Sequence, residues 1–159
     1  MPASRAILLA LAVPVLAIGC GSASHKTTTT AAPPLTQKQF VTAGNGVCIK
    51  SDRRVFQLGR LTLLPEGWAK TAAAARTGVA QMAALRPPAA DEAGFQRMLA
   101  LGRKLAANIQ RVHDSLAKKN YKAAQAEQLA ATNADTAIHR QAKTLGLTFC
   151  QQLLTNWPA

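Results

Sequence analysis

Between residues 95 and 116, apolar side chains return in alternating steps of three and four: Phe95, Met98, Gly102, Leu105, Ile109, Val112 and Leu116. This is the period of a helix that buries one stripe against its neighbours. Asp91 and Glu92 open the segment, and Lys118 and Lys119 close it, each sign at the end where the helix dipole favours it. Three further segments carry helical periods. One starts at Thr36, where Gln39 completes a capping box, and runs to about Arg60 with Phe40, Val47, Val55 and Leu58 on one side. Gly44 and Gly46 weaken it locally. The next follows Pro65, from Glu66 to Leu85, with Trp68, Ala72, Ala75, Val79 and Met82 as its stripe, and Pro87-Pro88 stops it. Asn120 marks a tight turn into the last, Tyr121 to Leu145, which faces its neighbours with Ala130, Ala134, Ile138 and Leu145 and is capped by Gly146.

Strand formers never cluster in period-two alternation, so the chain reads as all-α. Short connections between helices of similar length predict an up-down-up-down four-helix bundle, with both ends of the domain at the same end of the bundle. Aromatic residues are only 4% of the chain and alanine is abundant. The core is therefore expected to be built from closely approaching helices, with tight packing favoured over a cavity.

The N-terminus has a different pattern. Met1–Arg5 carries one positive charge, and Ala6–Ile18 is a nearly unbroken apolar run. At about 13 residues this run falls short of the roughly 20 a membrane-spanning helix needs, and suits a signal-peptide core. It closes on Ala17-Ile18-Gly19-Cys20. A cysteine directly after a small residue resembles the lipobox of bacterial lipoproteins, with Ala17 where leucine is commonest. The resemblance implies cleavage before Cys20, lipidation of its thiol, and anchoring on the extracytoplasmic face of the cell membrane; the competing reading is plain secretion. Residues 1–19 are then signal, 20–35 a lipid-anchored flexible linker and 36–159 the helical domain. Residues 21–35 are small, polar and proline-rich, a disordered tether reaching roughly 50 Å when extended. Thr27–Thr30 reads as an inert spacer or a glycosylation site, and His25 has no partner in this segment.

Cys48 and Cys150 remain, an even pair in a chain expected to be exported. A bridge between them would close a loop of about 100 residues, worth on the order of 4–5 kcal/mol by loop entropy; the alternative is two buried free thiols. In a bundle the bridge requires the tail after Gly146 to fold back along the first helix. Phe40 to Cys48, Leu85-Arg86-Pro87-Pro88 and the closing Leu145-Gly146-Leu147-Thr148-Phe149-Cys150 give the region 36–150 a resemblance to small actinobacterial lipoproteins and secreted proteins. That resemblance implies a disulfide-closed helical bundle and carries over no catalytic residue.

Candidate chemistry is sparse. Only His113 and His139 lie in the domain, on different levels of the last hairpin, with Glu127 nearest His113 as an acceptor. Such a pair reads as a core-edge histidine before it reads as a dyad. There is no CxxC, no CxxCH, no Glu-x-x-His and no phosphate-cradling glycine loop, so neither a metal nor a cofactor is expected. Met82 and Met98, which approach one another at the second hairpin, read as core filler. The net charge of +12 points to anionic partners. Arg97, Lys104, Arg111 and Lys118 recur every seven residues beside the apolar seam, joined by Arg103. They are candidate contacts to anionic lipid or wall polymer; the alternative is a solvated flank whose stems cover the seam. Few aromatics interleave with them, which disfavours nucleic acid. Three functions compete: a tethered, non-catalytic module binding an envelope polymer, lipid or protein; a carrier holding a small apolar ligand between its helices; and an undetected envelope enzyme.

Overall fold

The computed structural model describes residues 33–59 and 64–151. Cys20, the signal segment and most of the tether lie outside the described residues. Four helices follow one another: α1 (Gln37–Gly59), α2 (Pro65–Ala83), α3 (Glu92–Ala117) and α4 (Tyr121–Thr144). Short 3-10 turns occupy Ala89–Asp91 and Thr148–Gln151.

The helix ends follow from local chemistry. Thr36 and Gln39 form a complete capping box: the Gln39 amide donates to Thr36 Oγ1 (3.3 Å), and the Thr36 amide donates to Gln39 Oε1 (2.9 Å). Pro65 sits in the first turn of α2, one residue earlier than expected, where its missing N–H leaves no bond unmade. At the start of α4, Asn120 Oδ1 accepts from the Ala123 amide (3.1 Å). The same reversal closes α3 and α4. After α4, Gly146 takes a φ of 73° while the Leu147 amide reaches Ala142 O (3.0 Å) and the Gly146 amide reaches Lys143 O (3.2 Å). After α3, Lys119 takes the left-handed position with a φ of 56°, and the Asn120 and Lys119 amides reach Ser115 O (2.8 Å) and Leu116 O (2.9 Å). Glycine adopts that conformation without strain; lysine does not.

Packing is sequential. α1 lies on α2, α2 on α3 and α3 on α4; among the described residues the backbones of α1 and α4 do not come close, although Phe40 and Cys48 share one apolar cluster with Ile138 and Ala142. The C-terminal 3-10 turn fills that side and touches both helices. The tail does fold back along α1, as the cysteine pairing required, and Cys48 and Cys150 are joined with their Cα atoms 5.1 Å apart. Two further contacts hold it there. The Phe149 amide donates to Asn45 Oδ1 (3.1 Å). Leu147, fully buried, lies over Gly44 so closely that a Cβ there would come within 2.6 Å of its Cδ2. Gly44 is therefore a seat for the tail as well as a weak point in the helix.

The buried stripe of α1 is accordingly Phe40, Gly44 and Cys48, at four-residue spacing, while Val47, Val55 and Leu58 are only half-buried. α3, packed on two sides, buries a wider face than its expected seam, adding Gly94, Leu99, Ala106 and Asn108. Two apolar clusters result. The larger gathers Phe40, Phe95, Leu99, Leu145 and Leu147 around the disulfide, with Phe40 and Phe95 edge to face at 5.4 Å. The smaller holds Trp68, Ala72, Ile109, Val112, Ala124 and Ala131 towards the other end. At the first end the Leu35 amide also bonds Arg86 O (2.9 Å), tying the incoming chain to the connection before α3.

Candidate functional site

The two clusters meet through Leu105, which packs against both. A cavity of about 120 Å³ lies between them, neither sealed nor a surface groove. All four helices contribute to its wall: Val47 and Val55 from α1, Ala75 and Val79 from α2, Leu105 and Ile109 from α3, and Ile138 from α4, with the Cys48–Cys150 bridge beside them. The interior is thus less filled here than its alanine content predicts. Small side chains permit close helices only where two helices meet; α1 and α4 are kept apart by the tail.

The lining is apolar except for Ser51, Thr71 and Asp135. The Thr71 hydroxyl donates to Gly67 O (2.9 Å), the usual resort of a threonine within a helix. Asp135 is different. It is 4% exposed, and its Oδ1 has no hydrogen-bond partner among the described residues. Its Oδ2 lies 3.3 Å from His139 Nε2, one turn on in α4; the distance is that of an ion pair, but His139 Nε2 makes no aligned hydrogen bond. Burial pushes the Asp135 carboxyl up from its usual 3.8 to about 7. Burial lowers His139 from its usual value. Both groups are held towards their neutral forms, and neither shift arises from mutual attraction. Burial also raises Asp52, on the half-buried side of α1.

The other histidine is a core-edge residue with its hydrogen bond made, as its setting in the sequence suggests. His113 Nδ1 lies 2.8 Å from Pro65 O, joining α3 to the start of α2. Glu127 is occupied by Arg111, whose Nε is 2.8 Å from Glu127 Oε2 and whose guanidinium also bonds Asn108 Oδ1. Glu127 is thus not the partner of His113: Arg111, longer and permanently charged on the same helix, holds that acceptor. Arg97, Arg103, Lys104, Arg111 and Lys118 are all exposed on α3 or its cap. Arg111 is drawn across to α4, whereas none of the other four forms an ion pair among the described residues. Met82 and Met98 are both buried and line the cavity. Among the described residues, no three His, Cys, Asp or Glu side chains gather as metal ligands, and no helix is long and apolar enough to cross a membrane.

Asp135 was legible in part. Ala131, Asp135, Ile138 and Ala142 follow steps of four, three and four, which places a carboxylate on the apolar stripe of α4. Its position opposite the α1 gap was not. Comparison of the chain with family models, with characterised proteins and with solved structures gives no match.

Proposed function

We propose that this chain is a membrane-tethered, non-catalytic lipoprotein of the extracytoplasmic face, whose helical domain holds a small apolar ligand. The cavity of about 120 Å³ at the centre of the bundle carries the reading. An engineered apolar cavity of about 150 Å³ stays dry and takes up benzene, so this space suits a small hydrocarbon. The apolar run Ala6–Ile18 ending at Cys20 supports the tether, and the disulfide fits an oxidising compartment. The test uses the full chain held in zwitterionic nanodiscs and toluene as probe, read by NMR shifts of cavity-lining residues against empty nanodiscs. Toluene is expected to shift Val79, Ile109 and Ile138, and Ala75→Leu, which fills the space, to weaken binding at least about tenfold. An absence of binding, or binding indifferent to Ala75→Leu, would remove the reading.

The exposure of Arg97, Arg103, Lys104 and Lys118 without acidic partners favours a second role, contact with an anionic envelope polymer. Soluble poly(glycerol phosphate) should bind the nanodisc-held chain at low salt and release as screening shortens towards about 10 Å near 0.1 M. Glutamine at those four positions should abolish binding, while glutamine at Lys26, Lys38, Lys70 and Lys143 should spare it. Equal loss in both variants would leave only nonspecific attraction.

A further inference from the structure

A purely hydrocarbon ligand leaves one feature of the cavity without a purpose. Asp135 Oδ1 is buried in the wall with no hydrogen-bond partner among the described residues. Buried acceptors are normally satisfied, and leaving one bare costs on the order of 1–3 kcal/mol. His139 Nε2 lies 3.3 Å from the other carboxylate oxygen and is itself without an aligned partner among the described residues. The Thr71 hydroxyl proton is committed to Gly67 O. Cys48 and Cys150 are joined, so Asp135 is the only ionisable side chain among the described lining residues.

Resting on the ligand-holding reading, we propose that the ligand is a small amphiphilic amine: a hydrocarbon body of about single-ring size in the apolar cavity, with its protonated amino group bonded to the Asp135 carboxylate. The geometry asks for a donor, because an ionised carboxylate only accepts. It favours a charged donor over a hydroxyl, because charge-assisted bonds are roughly twice as strong as neutral ones and gain further in an apolar surround. An ammonium entering the cavity meets no cation among the described lining residues. The two nearby titrating groups favour it as well: the carboxyl, raised by burial, ionises against an arriving cation, and the imidazole is held uncharged. The exposed cations of α3 face solvent and are screened beyond about 10 Å.

Three probes of nearly one shape separate the terms: benzylamine, benzyl alcohol and toluene, titrated into the nanodisc-held full chain at about pH 8, where the amine is protonated and the carboxyl ionised. Benzylamine is expected to bind roughly ten- to a hundredfold more tightly than toluene, with benzyl alcohol between. Asp135→Asn, nearly isosteric, should bring benzylamine close to toluene and leave toluene unchanged. A second readout needs no variant: at about pH 6, benzylamine should discharge the infrared carbonyl band of the buried protonated carboxyl, and toluene should not. Equal affinity for benzylamine and toluene, or a preference for benzylamine that survives Asp135→Asn, overturns the amine while the ligand-holding reading stands. Benzyl alcohol matching benzylamine overturns the charged head in favour of a neutral donor. If none of the three binds, the ligand-holding reading itself falls and takes this inference with it.

Discussion

The α3–α4 hairpin and the α1 side of the bundle solve the same packing problem in different ways. α3 and α4 lie directly against one another, with Phe95, Ala106, Val112, Ala131, Ala134 and Ala142 buried and Arg111–Glu127 clasping the outside. α1 buries only Phe40, Gly44 and Cys48 among its described residues, and its backbone stands away from that of α4, with the tail and the disulfide linking the two. Helix-on-helix contact fills one side of the molecule. A covalent strap holds the other, and a strap fixes distance without filling space. The cavity lies where the second solution replaces the first.

Removing the strap should break this contrast most severely. Replacing Cys48 and Cys150 together by alanine releases a loop spanning 102 residues. The expected loss is about 4–5 kcal/mol by loop entropy, read as a lowered denaturation midpoint. Amide exchange should accelerate in α1 and the tail well before α3 and α4; uniform acceleration would show that the two sides unfold as one.

Asp135 gives the next largest effect, and its sign is set by burial. Its folded pKa, about 7, lies above its usual 3.8, so between these values the folded state holds more protons than the unfolded one. Its contribution to stability is therefore complete below about pH 4 and is lost as pH rises towards 7. His139, lowered, acts oppositely: its contribution is complete above its usual 6.5 and is lost as pH falls below it. The difference between Asp135→Asn and the parent isolates the aspartate. It should grow in favour of asparagine from about pH 4 to 7, by on the order of 1–3 kcal/mol, then level off. A flat difference across that range would mean the carboxyl is not buried against the cavity.

Two glycines only two residues apart, and so on different sides of the helix, sharpen the picture of α1. Gly44→Ala should cost about 1–2 kcal/mol, because the new methyl meets Leu147 within a buried contact and this outweighs the gain in helix propensity. Gly46→Ala, with nothing within 4 Å of the added carbon, should stabilise by about 0.5–1 kcal/mol. Thermal melts of the two variants should move in opposite directions; a shared direction would deny Gly44 its role as the tail's seat.

The smallest effect concerns a cap built twice. Lys119→Gly relieves a left-handed lysine at the end of α3 and should stabilise by about 0.5–1 kcal/mol. Gly146→Ala, at the matching position after α4, should destabilise by a similar amount. Urea midpoints decide both.

The elements themselves were readable because helix periods and caps are local. The seam Phe95 to Leu116 found α3, the Thr36–Gln39 box found the start of α1, and Gly146 marked the end of α4. The expected seam is too narrow for a helix with two packed flanks. The α1 side that carries Phe40, Val47 and Val55 does face the interior, but the tail, a distant segment, adds Gly44 and Cys48 to its buried positions. Register makes Glu127 the acceptor nearest His113, but Arg111, three residues from Asn108 and level with Glu127, takes it.

By itself, then, the sequence determined four helices, their order and an even cysteine pair. These follow from spacing and side-chain chemistry within a few turns of chain. Only the tertiary structure decided that α1 and α4 stand apart, that the tail fills their seam only in part, and that Asp135 faces the space left over. An empty volume belongs to no residue: it is the difference between the separation the backbones settle at and the side chains available to fill it. No local pattern encodes that difference.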